Sequence, residues 1–249
     1  MTWSGWFPGR ARAAVSVTFD DARPSQLDRG IPVLDAHGLR ATFYALPRPL
    51  AKRVDDWKRV VSTGHEIGNH TMTHPCSANK DPSRPNPLED VTLDFIVNDI
   101  ARADDEIDSL LGVRPRTFAY PCGQTAVGRG ELKASYVPVV ARQFLAGRGY
   151  KSESANDPAV CDAALLDAFH GDGMAADELL DLVEDAIAHE QWAIFALHDV
   201  GDGGKWEIAV DQLDRFCARL ADDRRVWVAP VAEVAERLTK QSGRGARLR

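Results

Sequence analysis

Apolar residues along this chain follow two alternating rhythms. Short runs rich in β-branched and aromatic residues predict strands at AAVSVTF (13–19), ATFYAL (41–46), TFAYP (117–121), VPVVARQF (137–144), WAIFALH (192–198) and VWVAPV (226–231), with EIGNH (66–70) a shorter one. Between them the apolar spacing becomes helical: LDRGIPVLDAHG (27–38), DDWKRVVSTG (55–64), a long helix from about Leu88 to Leu111 stopped by Gly112 and Pro115, DELLDLVEDAIAHE (177–190), IAVDQLDRFCARL (208–220) and AEVAERL (232–238). Residues 75–87 carry four prolines and predict a loop, and the stretch from about 145 to 175 has no clear period. Strands alternating with helices through short connections predict an α/β chain with a parallel sheet, open or closed into a barrel. No internal repeat and no linker divides it, so one domain is expected, with its core at about 13–238.

Composition narrows the classes. With 249 residues, 44% of them hydrophobic and 27% charged, the chain has enough apolar material for a sizeable core. A formal net charge of −7 argues against a nucleic-acid partner, which needs a clustered positive field, and the basic tail GRGARLR (243–249) is too short to supply one. No run approaches the roughly 18 apolar residues of a membrane span, and MTWSGWFPGRARAAV lacks the apolar core of a signal peptide. A cytoplasmic protein is therefore expected, unless a leader has been removed. Cys76, Cys122, Cys161 and Cys217 form no CxxC pair, which predicts reduced thiols rather than a disulfide framework.

Candidate chemistry gathers at the predicted strand ends, which line the ligand crevice in parallel α/β folds. Asp20 and Asp21 follow VSVTF, His70 follows EIGN with His74 four residues on, Pro121-Cys122-Gly123 follows TFAY, Arg142 lies within VVARQ, and His198 follows IFAL. Three of the chain's seven histidines fall within HEIGNHTMTH (65–74), and the four-residue spacing would let one helical turn aim His70 and His74 at a single point. Two histidines and a carboxylate, here Asp21, form a facial metal site with positions left open for water and substrate. A metal held that way lowers the pKa of bound water towards ~7 and polarises a carbonyl. Asp20 would then be free to act as general base, and His198 could protonate a leaving amine or alkoxide.

These residues resemble the polysaccharide deacetylases, carbohydrate esterase family 4, also called the NodB homology domain. The likeness runs from about Ala13 to Leu238. TFDDA resembles the family's first motif, TFDDG, which implies Asp20 as base and Asp21 as metal ligand. NHTMTHP resembles the second, His-[Ser/Thr]-x-x-His, which implies His70 and His74 as the other ligands and leaves His65 a bystander. FALH resembles the Leu-x-His motif, which implies His198 as general acid. The resemblance further implies a distorted (β/α) barrel of about seven parallel strands. The implied cofactor is zinc, with cobalt or another divalent ion as substitutes, and the implied substrate an acetylated carbohydrate that loses acetyl from nitrogen by attack of metal-activated water.

Two motifs depart from the family pattern. The third commonly reads Arg-x-Pro-[Tyr/Phe]-Gly, but FAYPCG has Ala119 at the arginine position and Cys122 at the aromatic one. Arg142, on the next predicted strand, is the candidate replacement, a solvent-facing cation being the other reading. Cys122 can still offer the backbone N–H expected to meet the oxyanion. The carboxylate that tunes the acid histidine has no recognisable motif, leaving Asp162, Asp167 and Asp172 open. Three other functions remain: a non-catalytic carbohydrate-binding relative, an O-acetyl esterase or small N-acyl amide hydrolase on the same scaffold, and a Cys122 nucleophile with His198 as base.

Overall fold

Strand β1 (Ala13–Asp20) is buried at all eight positions, as expected for a strand in the middle of a parallel sheet covered on both faces. The computed structural model describes residues 5–80 and 85–241; residues 81–84 of the proline-rich loop and the basic tail lie outside them. Seven further strands join β1: β2 (Thr42–Ala45), β3 (Glu66–Asn69), β4 (Thr117–Ala119), β5 (Ala146–Arg148), β6 (Phe169–His170), β7 (Trp192–Leu197) and β8 (Val226–Val228). Seven of the eight run side by side in the order β5-β4-β3-β2-β1-β7-β6, while β8 lies beside the first residues of β1. All these pairings are parallel, and the sheet curves into a half-barrel surrounded by helices, the distorted barrel expected from the sequence. A bridge between Arg148 and Leu166 links the β5 edge to the segment that leads into β6.

Side-chain alternation divides the interior from the outer layer. Val15, Val17 and Phe19 point outwards and pack with Ile187, Leu213 and Phe216 of the surrounding helices. Ala14 of β1, Ala146 of β5 and Trp192, Ile194 and Ala196 of β7 share a second cluster inside the curve, capped from below by Val231, Val234 and Leu238. The same phase carries Asp20, Arg148 and His198 into this interior at the strands' C-terminal ends. At the opposite end Glu66 ties the floor together, accepting hydrogen bonds from the Thr42 hydroxyl (2.8 Å), the Thr117 hydroxyl (2.6 Å) and the Ala232 N–H (2.9 Å). Burial raises the Glu66 pKa, and these donors oppose the rise.

Two expected elements differ. VPVVARQF is not a strand: Val137–Gln143 is a helix with proline in its first turn, where a missing N–H costs nothing, and it buries Val139 and Val140. The strand is the following Ala-Gly-Arg of β5, too short to show alternation. The long helix spans Leu93–Leu111 rather than starting near Leu88, because the Thr92 hydroxyl caps it by accepting from the Phe95 N–H (3.2 Å).

Close packing around β5 gives a direct test. A Cβ at Gly147 would run into the Ala164 carbonyl and approach Val140 Cγ1 at 2.8 Å. Gly147→Ala should therefore cost roughly 1–3 kcal/mol of stability by overpacking, read as a lower urea midpoint at unchanged slope. A midpoint equal to wild type would show that the sheet edge yields freely.

Candidate active site

The interior phase of β1 delivers Asp20, 3% exposed, against the guanidinium of Arg148, which is fully buried. Arg148 Nη2 donates to Asp20 Oδ1, and Nη1 donates to the Gly149 carbonyl (2.9 Å). The Tyr44 ring lies under the guanidinium, its centroid 4.9 Å from Cζ. Burial raises the Asp20 pKa, but Arg148, His70 and His198 outweigh it and hold the carboxyl below its ordinary range. Arg148 pairs with Ala119 across the β4–β5 ladder, so the guanidinium enters level with the position where the family motif has its arginine.

Asp21 would point away from Asp20 if the strand continued. The chain instead turns, with Asp21 at φ 78° and Ala22 at φ 53°. This left-handed bend, disfavoured for residues with a Cβ, brings the second carboxylate back to the same cavity. Arg23 holds Asp21 Oδ2 from Nε (3.1 Å) and Nη2 (2.7 Å), leaving Oδ1 3.8 Å from His70 Nε2 and 3.7 Å from His74 Nε2. Asp21 is pushed well below the ordinary carboxylate range: burial acts the other way, but both imidazoles and Arg23 outweigh it.

His70 and His74 meet through a loop and not through a helical turn. Thr71 and His74 adopt φ 65° and 52°. The loop is tied to helix Leu93–Leu111, where buried Asp99 accepts at Oδ2 from the Met72 N–H (3.1 Å), the Thr73 N–H (3.0 Å) and the Thr73 hydroxyl (3.1 Å). Asn69 donates to Asp104 Oδ1 (2.7 Å) and accepts from the Thr71 N–H (2.6 Å). His70 Nδ1 donates to the Ala119 carbonyl (2.9 Å), which fixes the tautomer and leaves Nε2 its lone pair. One donor atom each from Asp21, His70 and His74 lies within 4.8 Å of the others, and a carboxylate with two imidazoles suits zinc or cobalt.

Across the cavity, His198 resolves the choice among three aspartates. Asp172 Oδ1 accepts from the His198 N–H (2.9 Å) and Oδ2 accepts from Nδ1 (2.6 Å), which turns Nε2 towards the cavity. Burial lowers the His198 pKa, but Asp172 and Asp20 more than reverse it, so the imidazole stays protonated above its ordinary range. Gln26 Nε2 binds the two strand ends together, donating to the carbonyls of Asp20 (2.6 Å) and His198 (2.8 Å).

These groups line a cavity of about 390 Å³ whose other walls include Lys80, Cys122, Tyr150, Lys151 and Trp206. Tyr150 and Trp206 set their rings edge-on to His198, with centroids at 5.6 and 5.5 Å. Burial keeps the Tyr150 hydroxyl protonated, and it donates to His170 Nδ1 (2.8 Å).

The structure thus places Asp20, Asp21, His70, His74 and His198 around one space and corrects two expectations. Arg142 is exposed in the last turn of its helix, and Arg148 holds Asp20 in its place. Cys122 lines the cavity but is no free thiol, being joined to Cys76 in a disulfide, which removes both the reduced-thiol expectation for this pair and the nucleophile reading. Cys161 and Cys217 are free. Arg23, Gln26, Asp99, Arg148, Tyr150 and Trp206 were not singled out in the sequence. None of them carried a local signal there, Arg148 included, since it lies in the stretch without a clear period.

Two outcomes follow from these contacts. Arg148→Lys cannot reproduce the guanidinium fork, so turnover should fall roughly 10- to 100-fold, the equivalent of one charge-assisted hydrogen bond of ~1.5–3 kcal/mol, with bound metal unchanged. Unimpaired turnover would remove Arg148 from the site. In Asp172→Asn the largest opposition to burial at His198 disappears, so its pKa falls and the alkaline limb of the pH–rate profile should move to lower pH. A limb that stays in place would mean that His198 does not control it.

The sequence and the fold are both similar to those of known proteins. A peptidoglycan-N-acetylglucosamine deacetylase of Bacillus cereus is 31% identical over 118 residues, covering 45% of this chain and 38% of that protein. The chain spans well under half the length of such curated relatives, 27% for one of Bacillus subtilis. In fold it is similar to a Mycobacterium smegmatis protein assigned provisionally to the polysaccharide deacetylases, with TM-score 0.70, 16% identity and coverage of 94% of this chain and 93% of that one. It is also similar to a family 4 acetyl xylan esterase of Clostridium thermocellum in complex with a cobalt ion, with TM-score 0.59, 20% identity and 92% of each chain covered. The polysaccharide deacetylase profile matches residues 9–132, the part that carries Asp20, Asp21, His70, His74 and Cys122, and the chain belongs to that family.

Proposed function

We propose that the protein is a metal-dependent hydrolase that removes acetyl from the nitrogen of an N-acetylated sugar. The observation that carries this reading is the separation of a buried, arginine-held carboxylate, Asp20, from the Asp21–His70–His74 donor set, with a carboxylate-held imidazole, His198, across the same cavity. A protein that only bound sugar would have no use for a buried base and acid, each with its own ionic partner. The metal-bearing acetyl xylan esterase among its structural neighbours supports a divalent cofactor, and the Bacillus cereus relative supports an N-acetyl sugar substrate.

When bound at Asp21, His70 and His74, a divalent ion would supply Lewis acidity to water and to the acetyl carbonyl. The remaining steps belong to the chain's own groups. Asp20, with Oδ1 occupied by Arg148, takes a proton from the attacking water at Oδ2. Cys122 lines the cavity in the turn Pro121–Gly123, where its φ of 55° breaks the helical course, and its backbone N–H is the donor assigned to the oxyanion. His198 delivers a proton from Nε2 to the departing nitrogen, and Asp172 stabilises the imidazolium until it does. The aromatic faces of Tyr150 and Trp206 at the mouth suit the apolar face of a sugar ring.

Acetate release should be measured with zinc- and cobalt-loaded protein on chitin oligomers, N-acetylated peptidoglycan sugars, acetylated xylan and small N-acyl amides. Hydrolysis of an N-acetyl sugar is expected, and cleavage confined to acetylated xylan would make the protein an O-acetyl esterase instead. His70→Ala and His74→Ala should lose metal and activity together, whereas Asp20→Asn should keep its metal and lose roughly 10²–10⁴ in rate. Wild-type hydrolysis by Asp20→Asn would overturn the assignment of the base.

A further inference from the structure

The Cys76–Cys122 disulfide lies directly behind the donor set described above. His74 presents Nε2 to Asp21, and its other ring nitrogen, Nδ1, is 3.7 Å from Cys76 Sγ. A donor atom of His74 and the sulfurs of Cys76 and Cys122 fall within 4.8 Å of one another, as do the donor atoms of the Asp21–His70–His74 set. We infer that, once the disulfide is reduced, Cys76, Cys122 and His74 form a second, sulfur-rich site for a divalent metal, so that the redox state of the pair decides which side of His74 holds the ion.

The cysteines do not depend on their bond to remain neighbours. The Ser77 N–H donates to Gln124 Oε1 (2.8 Å), holding the segment after Cys76 to the segment after Cys122, and the Leu88 N–H donates to the Cys76 carbonyl (3.1 Å). Their Cα atoms are 6.1 Å apart, near enough for two sulfurs to sit about 2.3 Å from one zinc ion. Cys122 lines the open cavity, which gives a small reductant access to the bond. The exchange balances with a dithiol as the reductant: it gives two electrons and two protons to the Cys76–Cys122 bond, is oxidised to its own disulfide, and leaves two thiols. Metal binding then displaces the thiol protons. Two thiolates with an imidazole are softer donors than a carboxylate with two imidazoles, and zinc and cobalt both accept sulfur. One neutral imidazole has a single lone pair, so His74 cannot serve both sites at once, and reduction draws the ion away from Asp21 and His70.

Cobalt(II) titration of the 249-residue chain distinguishes the two states by absorption alone, independently of any hydrolysis. The oxidised protein should bind cobalt without a sulfur-to-cobalt charge-transfer band. The same protein, reduced with a dithiol and desalted without oxygen, should show that band at one equivalent. The band should vanish in Cys76→Ser and in Cys122→Ser and survive in a Cys161→Ser/Cys217→Ser double variant. Absence of the band from reduced wild type, or its persistence in both Cys76→Ser and Cys122→Ser, would overturn the inference.

Discussion

The contact on which the site depends is the buried ion pair between Asp20 and Arg148. Neither side chain reaches water to any useful extent, so each would be costly to bury alone, by several kcal/mol per ion even after relaxation. Together they are tolerable because the guanidinium also meets the Gly149 carbonyl and the Tyr44 ring, although Nε has no partner among the described residues. The pair is therefore poor evidence of stability and better evidence of purpose. It keeps a carboxylate ionised and aimed in a space where burial would otherwise protonate it. It also sets demands on the fold. β5 must end level with β4, Gly147 must stay without a side chain, and the segment before β6 must close over Arg148.

How far this was legible in the sequence depends on how local each signal is. The doublet Asp20-Asp21, the spacing of His70 and His74 and the position of His198 are each written within a few residues, at the ends of strands whose apolar runs are unmistakable. The arginine was not legible, because its assignment rests on which strand lies beside β4. VPVV has the β-branched content of a strand, yet the proline opens a helix there. Ala-Gly-Arg has no pattern at all and becomes a strand only by pairing with Thr117–Ala119. Asp172 had the same difficulty from the opposite side: three aspartates were available, and only the course of the irregular segment brings one of them under His198. The disulfide was hidden for a further reason, since the sequence separation of 46 between its cysteines puts their meeting beyond any spacing rule.

The irregular backbone follows the chemistry closely. Nine described residues other than glycine have positive φ, and five of them, Asp21, Ala22, Thr71, His74 and Cys122, belong to the three loops that build this site. Each costs on the order of 1–2 kcal/mol and persists only where its surroundings over-determine it. The surroundings can be named. Asp21 is held by Arg23 and by its own N–H donating to the Tyr44 carbonyl (3.0 Å), the histidine loop by Asp99 and Asn69, and the cysteine turn by the disulfide.

That strain accounts for how two adjacent residues come to face one cavity with different partners. In an extended strand, neighbouring side chains diverge to opposite faces, so an Asp-Asp doublet would ordinarily contribute one carboxylate to the interior and lose the other to the outer layer. Ending β1 at Asp20 and bending the chain at Asp21 recovers the second carboxylate, but it arrives from a different direction and meets different partners. Arg148 waits for the first inside the sheet, while Arg23 and two imidazoles wait for the second at the rim. Two identical side chains thereby acquire separate surroundings from geometry alone. The separation also keeps the two sets of contacts apart: the Arg148 guanidinium meets Asp20, the Gly149 carbonyl and the Tyr44 ring from inside the sheet, while Arg23 meets Asp21 at the rim.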